Sequence, residues 1–236
     1  MAPVTVIAGV GPGNGAAYAH RFAREGHAVA LLARSEDYIT KLTAEVRDSG
    51  GTALGLPVDL ANQRAVGEAF ARIRRELGAP HVLIQNAAGG PRGPFLDVEP
   101  AAIEAGFAIS VMGMVYCCRE VLPHMVQQGS GAIILSGATA ALRGSANFGG
   151  FAISKFGQRA LAQSLAREFG PQGIHVAHVN IDGVIATPRN LERLADKPRD
   201  FFLEPDDIAD AVWHLVQQPR SAWSQEIDLR PFGEKF

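Results

Sequence analysis

Three times within its first third the chain repeats one unit: a short apolar run, a segment of helical period, and a glycine that stops it. Val4–Ala8 leads into 16–25 and Gly26, Ala28–Ala33 into Glu36–Asp48 and Gly50-Gly51, and 52–56 into 62–77 and Gly78. Runs this short, rich in Val, Ile and Leu, read as strands buried on both faces, and a glycine just past a periodic segment reads as a helix C-terminus. Strands separated by whole helices pair most readily in parallel, through crossovers that lay the helices on the sheet. Further apolar runs at 82–85, 132–135, 176–181 and Glu226–Leu229 bring the count to about seven strands. The expectation is an α/β chain, one doubly wound parallel sheet with helices on both faces. A single domain over 1–236 is expected, since no linker or low-complexity tract marks a second.

Charge and cysteine usage narrow the partners. Lys and Arg number 22 against 24 Asp and Glu, a net charge of −2, so nothing draws the whole chain toward phosphate backbones or anionic membranes, and neither nucleic acid nor membrane is expected as a partner. No uninterrupted apolar run approaches the 18 residues of a membrane span, and no basic leader precedes the apolar start. The two cysteines, Cys117 and Cys118, are adjacent, the wrong geometry for an ordinary bridge, which favours a reducing cytoplasm. Two longer helical segments, 102–128 and 148–169, are rich in Ala, Gly and Ser. They are candidates for a homodimer or homotetramer interface, although buried helices of a monomer share that composition.

Immediately after the first strand comes Gly9-Val10-Gly11-Pro12-Gly13-Asn14-Gly15, where a helix begins. Glycines serve where a chain turns sharply and where backbone N–H groups must approach a pyrophosphate at the positive end of a helix. The spacing is Gly9-x-x-x-Gly13-x-Gly15, because Asn14 stands where the third glycine of G-x-G-x-x-G would fall. At the tip of the second strand, where NAD sites place an acid for the ribose hydroxyls, the sequence reads Ala33-Arg34-Ser35. A guanidinium beside a hydroxyl suits a 2′-phosphate, so NADP(H) is favoured and NAD(H) remains possible, with Glu36 or Asp37 as the alternative ribose ligand.

Taken together these residues resemble the short-chain dehydrogenase/reductase family, over nearly the whole chain. Ala8-Gly9-x-x-x-Gly13-x-Gly15 resembles the family's T-G-x-x-x-G-x-G turn, Asp59-Leu60 its adenine-contacting acid, and Asn86-Ala87-Ala88-Gly89 its N-N-A-G segment. Asp182-Gly183-x-x-x-Thr187 resembles the P-G-x-x-x-T stretch beside the nicotinamide, and Glu204 to Ala209 the start of a late helix. The resemblance implies a Rossmann-type sheet of order 3-2-1-4-5-6-7, a small-molecule substrate, and a dimer or tetramer built on the two long helices. The insertion 188–205 is then the expected substrate loop.

The resemblance also implies an Asn, Ser, Tyr and Lys set, in which a phenol gives its proton to a carbonyl and a lysine four residues later lowers the phenol's pKa. A free tyrosine titrates near 10, so the neighbouring cation makes it a usable acid. Here Lys155 matches, but Phe151 stands at the tyrosine position, Ala138 at the serine position and Ser110 at the asparagine position. Lys155 keeps the second job that the family implies, holding the nicotinamide ribose. Ser136, Thr139, Ser145, Asn147, Ser154 and Asp182 lie in segments that could supply another proton donor, Asp182 either as a carboxyl at a strand end or as the cap of a turn.

Three readings follow. The leading one is an NAD(P)-dependent oxidoreductase acting on a small carbonyl or alcohol with a degenerate catalytic set. The alternatives are a catalytically silent NADP-binding module and a non-redox enzyme for elimination or isomerisation in the same cleft. No metal is expected: His175 and His178 are three apart on a strand and face opposite ways, and His20, His27 and His124 read as surface. None of Tyr18, Tyr38 and Tyr116 is in register with Lys155, and Tyr116 reads as packing.

Overall fold

The computed structural model describes residues 2–233. Strands β1 (Val4–Ala8), β2 (Ala28–Ala33), β3 (Thr52–Pro57), β4 (Pro80–Gln85), β5 (Gly131–Ser136) and β6 (Ile174–Ile181) follow in chain order, with helices α1 (Asn14–Arg24), α2 (Glu36–Asp48) and α3 (Gln63–Glu76) between the first four. Helices α4 (Pro100–Phe107) and α5 (Gly113–Gln128) precede β5, and α6 (Gly149–Phe169) precedes β6. Beyond β6 come β7 (Val184–Ile185), α7 (Pro188–Arg193), β8 (Phe202–Leu203), α8 (Pro205–Val216) and β9 (Glu226–Leu229). The main sheet has the order β3-β2-β1-β4-β5-β6-β9, and every neighbouring pair is parallel. Its seventh strand is the Glu226–Leu229 run of the sequence reading, and the order is the one the resemblance implies.

Local chemistry explains the regular half. Ser35 and Asn62 cap α2 and α3 by accepting from the backbone N–H groups of Tyr38 and Ala65. Gly26, Gly50 and Gly78 take φ of 85°, 84° and 104° as their helices end, a region that a side chain disfavours. The apolar stripes of α1, α2 and α8 close one face of the sheet around Phe22, Ile39 and Val212, and those of α3, α5 and α6 close the other around Phe70, Met114 and Ala162. Each fully buried large side chain contributes roughly 1.5–3 kcal/mol of transfer free energy.

Four features differ from the sequence reading. The segment 102–128 is not one regular helix, because a π turn over Ala108–Met112 joins α4 to α5. By length and composition Pro100–Gln128 is also long and apolar enough to cross a membrane, although no uninterrupted apolar run marks it. Here its α5 half buries Met114, Cys117, Val121 and Met125 in the core beneath the sheet. The insertion 188–205 is ordered: it holds α7, and its end supplies β8 as the parallel partner of β7. His27 is buried, with its ring 2.7 Å from the Thr5 hydroxyl, rather than on the surface.

Candidate active site

The sheet order reverses between β1 and β4, and the crevice at their carboxyl ends is where open α/β sheets hold ligands. A groove of about 750 Å³ opens there. Gly9, Gly13, Asn14, Gly15, Arg34, Ser35, Asp59, Leu60, Asn86, Ala87, Ala88 and Thr187, all singled out in the sequence, line it. Gly9 has φ 97°, and a Cβ there would lie 2.4 Å from the Ala87 backbone nitrogen; a Cβ on Gly15 would lie 2.8 Å from Val10 Cα. Glycine is therefore required where the turn presses on the β4 loop and where α1 begins. The Asn86 side-chain amide donates to the Gly9 carbonyl at 2.7 Å and locks the two loops together.

The groove fits a dinucleotide. The first turn of α1 carries no acid and no side-chain cap, so its N–H groups face the groove with their partial positive charge, and Asn14 Oδ1 is buried there without a partner. Arg34 is exposed at the far end, and no described carboxylate lies within 4.0 Å of it. Glu36 and Asp37 do not line the groove. The Ser35 hydroxyl is occupied as the cap of α2, a role the sequence reading did not give it.

A second cavity of about 510 Å³ continues the groove past Asn14, Asn86 and Ala88. Lys155, Phe151, Ala138 and Gly183 line it, so Lys155 and Gly183 face this cavity and not the groove. Lys155 is buried, and its ammonium donates to the Ser136 carbonyl at 2.8 Å. Burial lowers its pKa to about 8, and no described carboxylate offsets this with an ion pair. The Phe151 ring centroid lies 5.9 Å from Lys155 Nζ.

Two sequence candidates do not face the cavity. Ser110 sits on the π turn, where its hydroxyl accepts from Gly89 N at 2.8 Å and donates to Gly89 O at 3.2 Å. It fixes the 86–89 loop and is fully buried off the cavity wall. Asp182 accepts from the Thr139 hydroxyl at 2.5 Å and lies 3.7 Å from Arg230, so it anchors a turn. Thr139 lines the cavity, but its proton is committed to that carboxylate.

Beneath the site lie Tyr18 and His178, to which the sequence reading gave no part in it. Tyr18, four residues after Asn14 on the same face of α1, is wholly buried, with its hydroxyl 3.0 Å from Ser136 Oγ, and burial raises its pKa. His178, buried on β6, meets Glu226 through its Nδ1 at 2.8 Å, and Arg159 holds Glu226 by two 2.7 Å bonds. The i, i+4 spacing of Asn14 and Tyr18 was visible in the sequence.

The model of the short chain dehydrogenase family matches residues 3–198. The chain belongs to the short-chain dehydrogenase family. Short-chain reductase protein NovJ of Streptomyces niveus is 34% identical over 232 residues, covering 97% of this chain and 87% of its own length. The crystal structure of a short-chain dehydrogenase from Rhodopseudomonas palustris matches with a TM-score of 0.84 at 32% identity, covering 98% of this chain and 99% of that one. A metagenomic short-chain oxidoreductase, solved in complex with NADP, matches at 0.85 and 27% identity over 98% of each chain. This is a family of oxidoreductases, and its fold supplies the paired groove and cavity.

Proposed function

We propose that this short-chain dehydrogenase is an oxidoreductase that interconverts a small carbonyl and its alcohol with a nicotinamide dinucleotide, favouring NADP(H), and that Lys155 is the proton-bearing group of the site. The observation that carries this reading is the Lys155 ammonium, buried at the junction of a glycine-cradled groove and an adjoining cavity. Gly9, Gly13, Asn14 and Gly15 would hold the pyrophosphate end, Arg34 the 2′-phosphate, and Lys155 the ribose next to the cavity. When bound, the nicotinamide supplies or accepts the hydride.

The chain's own residues do the rest. With Phe151 and Ala138 offering no proton, and Thr139 and Asp182 tied to each other, Lys155 Nζ is the strongest remaining acid on the cavity wall. One of its N–H groups is spent on Ser136 O, and two remain, one for the ribose and one for a substrate oxygen. A pKa of about 8 puts the group near its working pH, where a general acid is most effective. Phe148, Phe151 and Ala140 keep the wall apolar, which strengthens each polar contact made inside.

We also read the outer face of α4 and α6, where Phe107, Ile153 and Phe156 are exposed, as a homo-oligomer interface. The function is tested by following NADPH oxidation against a broad panel of aldehydes and ketones, with NADPH binding measured alongside. Binding without oxidation would favour the silent module, and product formation without cofactor consumption would favour a non-redox enzyme.

A further inference from the structure

The cavity beside Lys155 has a charge pattern opposite to that of the chain. Three cations line it, Arg92, Lys155 and Arg193, and among the described residues no Asp or Glu does, in a protein whose net charge is −2. No described carboxylate lies within 4.0 Å of any of the three. Arg92 sits on the 86–93 loop, whose course depends on close backbone contacts. A Cβ on Gly90 would lie 2.8 Å from Phe151 Cα, and one on Gly106 would lie 2.5 Å from Gly90 Cα. Gly93 N then donates to Asn147 O at 2.8 Å and closes the loop. The Arg92 guanidinium carbon thereby lies over the rings of Phe151 and Phe148, at 4.8 and 5.1 Å from their centroids.

A cation–π contact takes no hydrogen-bond acceptor and no described carboxylate pairs with Arg92, so its fork of N–H donors, which matches a carboxylate, is left for a ligand. Arg193 reaches the same cavity from α7, which Thr187 caps and which Asn190 ties to the Ile185 carbonyl at 2.9 Å. Partial burial, together with the repulsion of Arg193 and Arg189, lowers the pKa of Arg92. Cations gathered in a half-enclosed apolar pocket repel one another, and an anion between them relieves that cost.

We propose that this cavity takes a small carbonyl or alcohol that carries a carboxylate, held at the mouth by Arg92 and Arg193, with its reacting oxygen turned toward Lys155. The proposal rests on the reading of the cavity as the hydride-transfer site, but it concerns recognition and is tested by binding. Phe148, Phe151 and the small residues Ala88, Ala138 and Ala140 give the same cavity an apolar wall, which suits the apolar body of an aromatic acid.

The experiment compares benzoate with benzamide, neutral and nearly isosteric, by calorimetry on the protein with and without NADP. Alongside it, NADPH-dependent reduction is measured for 4-formylbenzoate and 4-formylbenzamide. Benzoate should bind at least tenfold tighter. Arg92→Gln should weaken benzoate by about ten- to a hundredfold, the range of one charge-assisted contact, while leaving benzamide and NADPH affinity within about twofold. Arg92→Lys should recover part of the loss, and Arg92→Gln with Arg193→Gln should abolish the preference. Equal binding of the two probes by the unaltered protein would overturn the proposal, as would a loss of NADPH affinity in Arg92→Gln that matched the loss of benzoate. A retained benzoate preference with no NADPH oxidation would refute the hydride-transfer reading and leave the anion site standing. Equal reduction of both aldehydes would do the reverse.

Discussion

The Lys155 ammonium donates to the carbonyl oxygen of Ser136 at 2.8 Å, and the hydroxyl of that serine is 3.0 Å from the Tyr18 phenol. The last residue of β5 thus ties α6 to α1 across the end of the sheet. The lysine is aimed by the backbone, so its place does not depend on a tyrosine at 151. That is why a site without the expected phenol can keep its cation in position.

Restoring the missing hydroxyls is the most direct use of that geometry. Phe151→Tyr with Ala138→Ser should raise carbonyl reduction by roughly 10² or more, the usual contribution of a positioned acid, with NADPH affinity within a few-fold. Steady-state kinetics on one aldehyde checks it. Phe151→Tyr alone should gain less, since a phenol put among apolar neighbours without a partner carries a desolvation cost. A drop in activity in the double variant would mean that the phenyl ring shapes the pocket for a different donor.

Burial of Lys155 also sets a pH dependence of stability. The folded pKa is about 8 against 10.5 for the free side chain, so between these values the unfolded chain binds more protons than the folded one. Stability should therefore rise from pH 8 to pH 10.5 through this group, and its burial should cost most below pH 8. Lys155→Met removes the term. The difference between the denaturation curves of the two proteins, taken across that range, isolates it from the buried tyrosine and thiols, and a flat difference would show that the lysine titrates normally.

The proposed preference for NADP(H) rests on Arg34. The protein should bind NADPH more tightly than NADH, and Arg34→Asp should narrow or reverse the preference, since one guanidinium–phosphate contact is worth about 1.5–3 kcal/mol. Titrating both cofactors against both proteins decides it; equal affinities in the unaltered protein would count against the assignment.

Phe107, Ile153 and Phe156 are exposed on α4 and α6, and the protein should be a dimer or tetramer at micromolar concentration. Light scattering at 25.0 kDa, the mass of one chain, would contradict this. Ile153→Asp with Phe156→Asp should shift the assembly toward monomer.

Much of this molecule was legible because its regular parts obey local rules. The triple repeat of strand, helix and glycine reads directly off Val4 to Gly78, and the glycines at 9, 13 and 15 announce a turn that no side chain could occupy. The site was harder because its contacts are made at a distance along the chain. Nothing in the sequence near Asp182 indicates that Thr139 and Arg230 would immobilise it, or that Ser110 would be turned onto Gly89 by a π turn. Arg92 carried no signal at all, because its place follows from the contacts of Gly90 with Gly106 and Phe151.

The central claim is that Lys155 supplies the proton for carbonyl reduction, and the pH profile of kcat/KM for NADPH oxidation tests it most directly. With one aldehyde followed from pH 6 to 10, the rate should be level on the acid side and fall about tenfold per unit above pH 8, as the ammonium is lost. Lys155→Met should lose at least 10² in rate while still binding NADPH within about tenfold. A profile that stays level through pH 9.5, or a methionine variant that keeps the activity, would contradict the account.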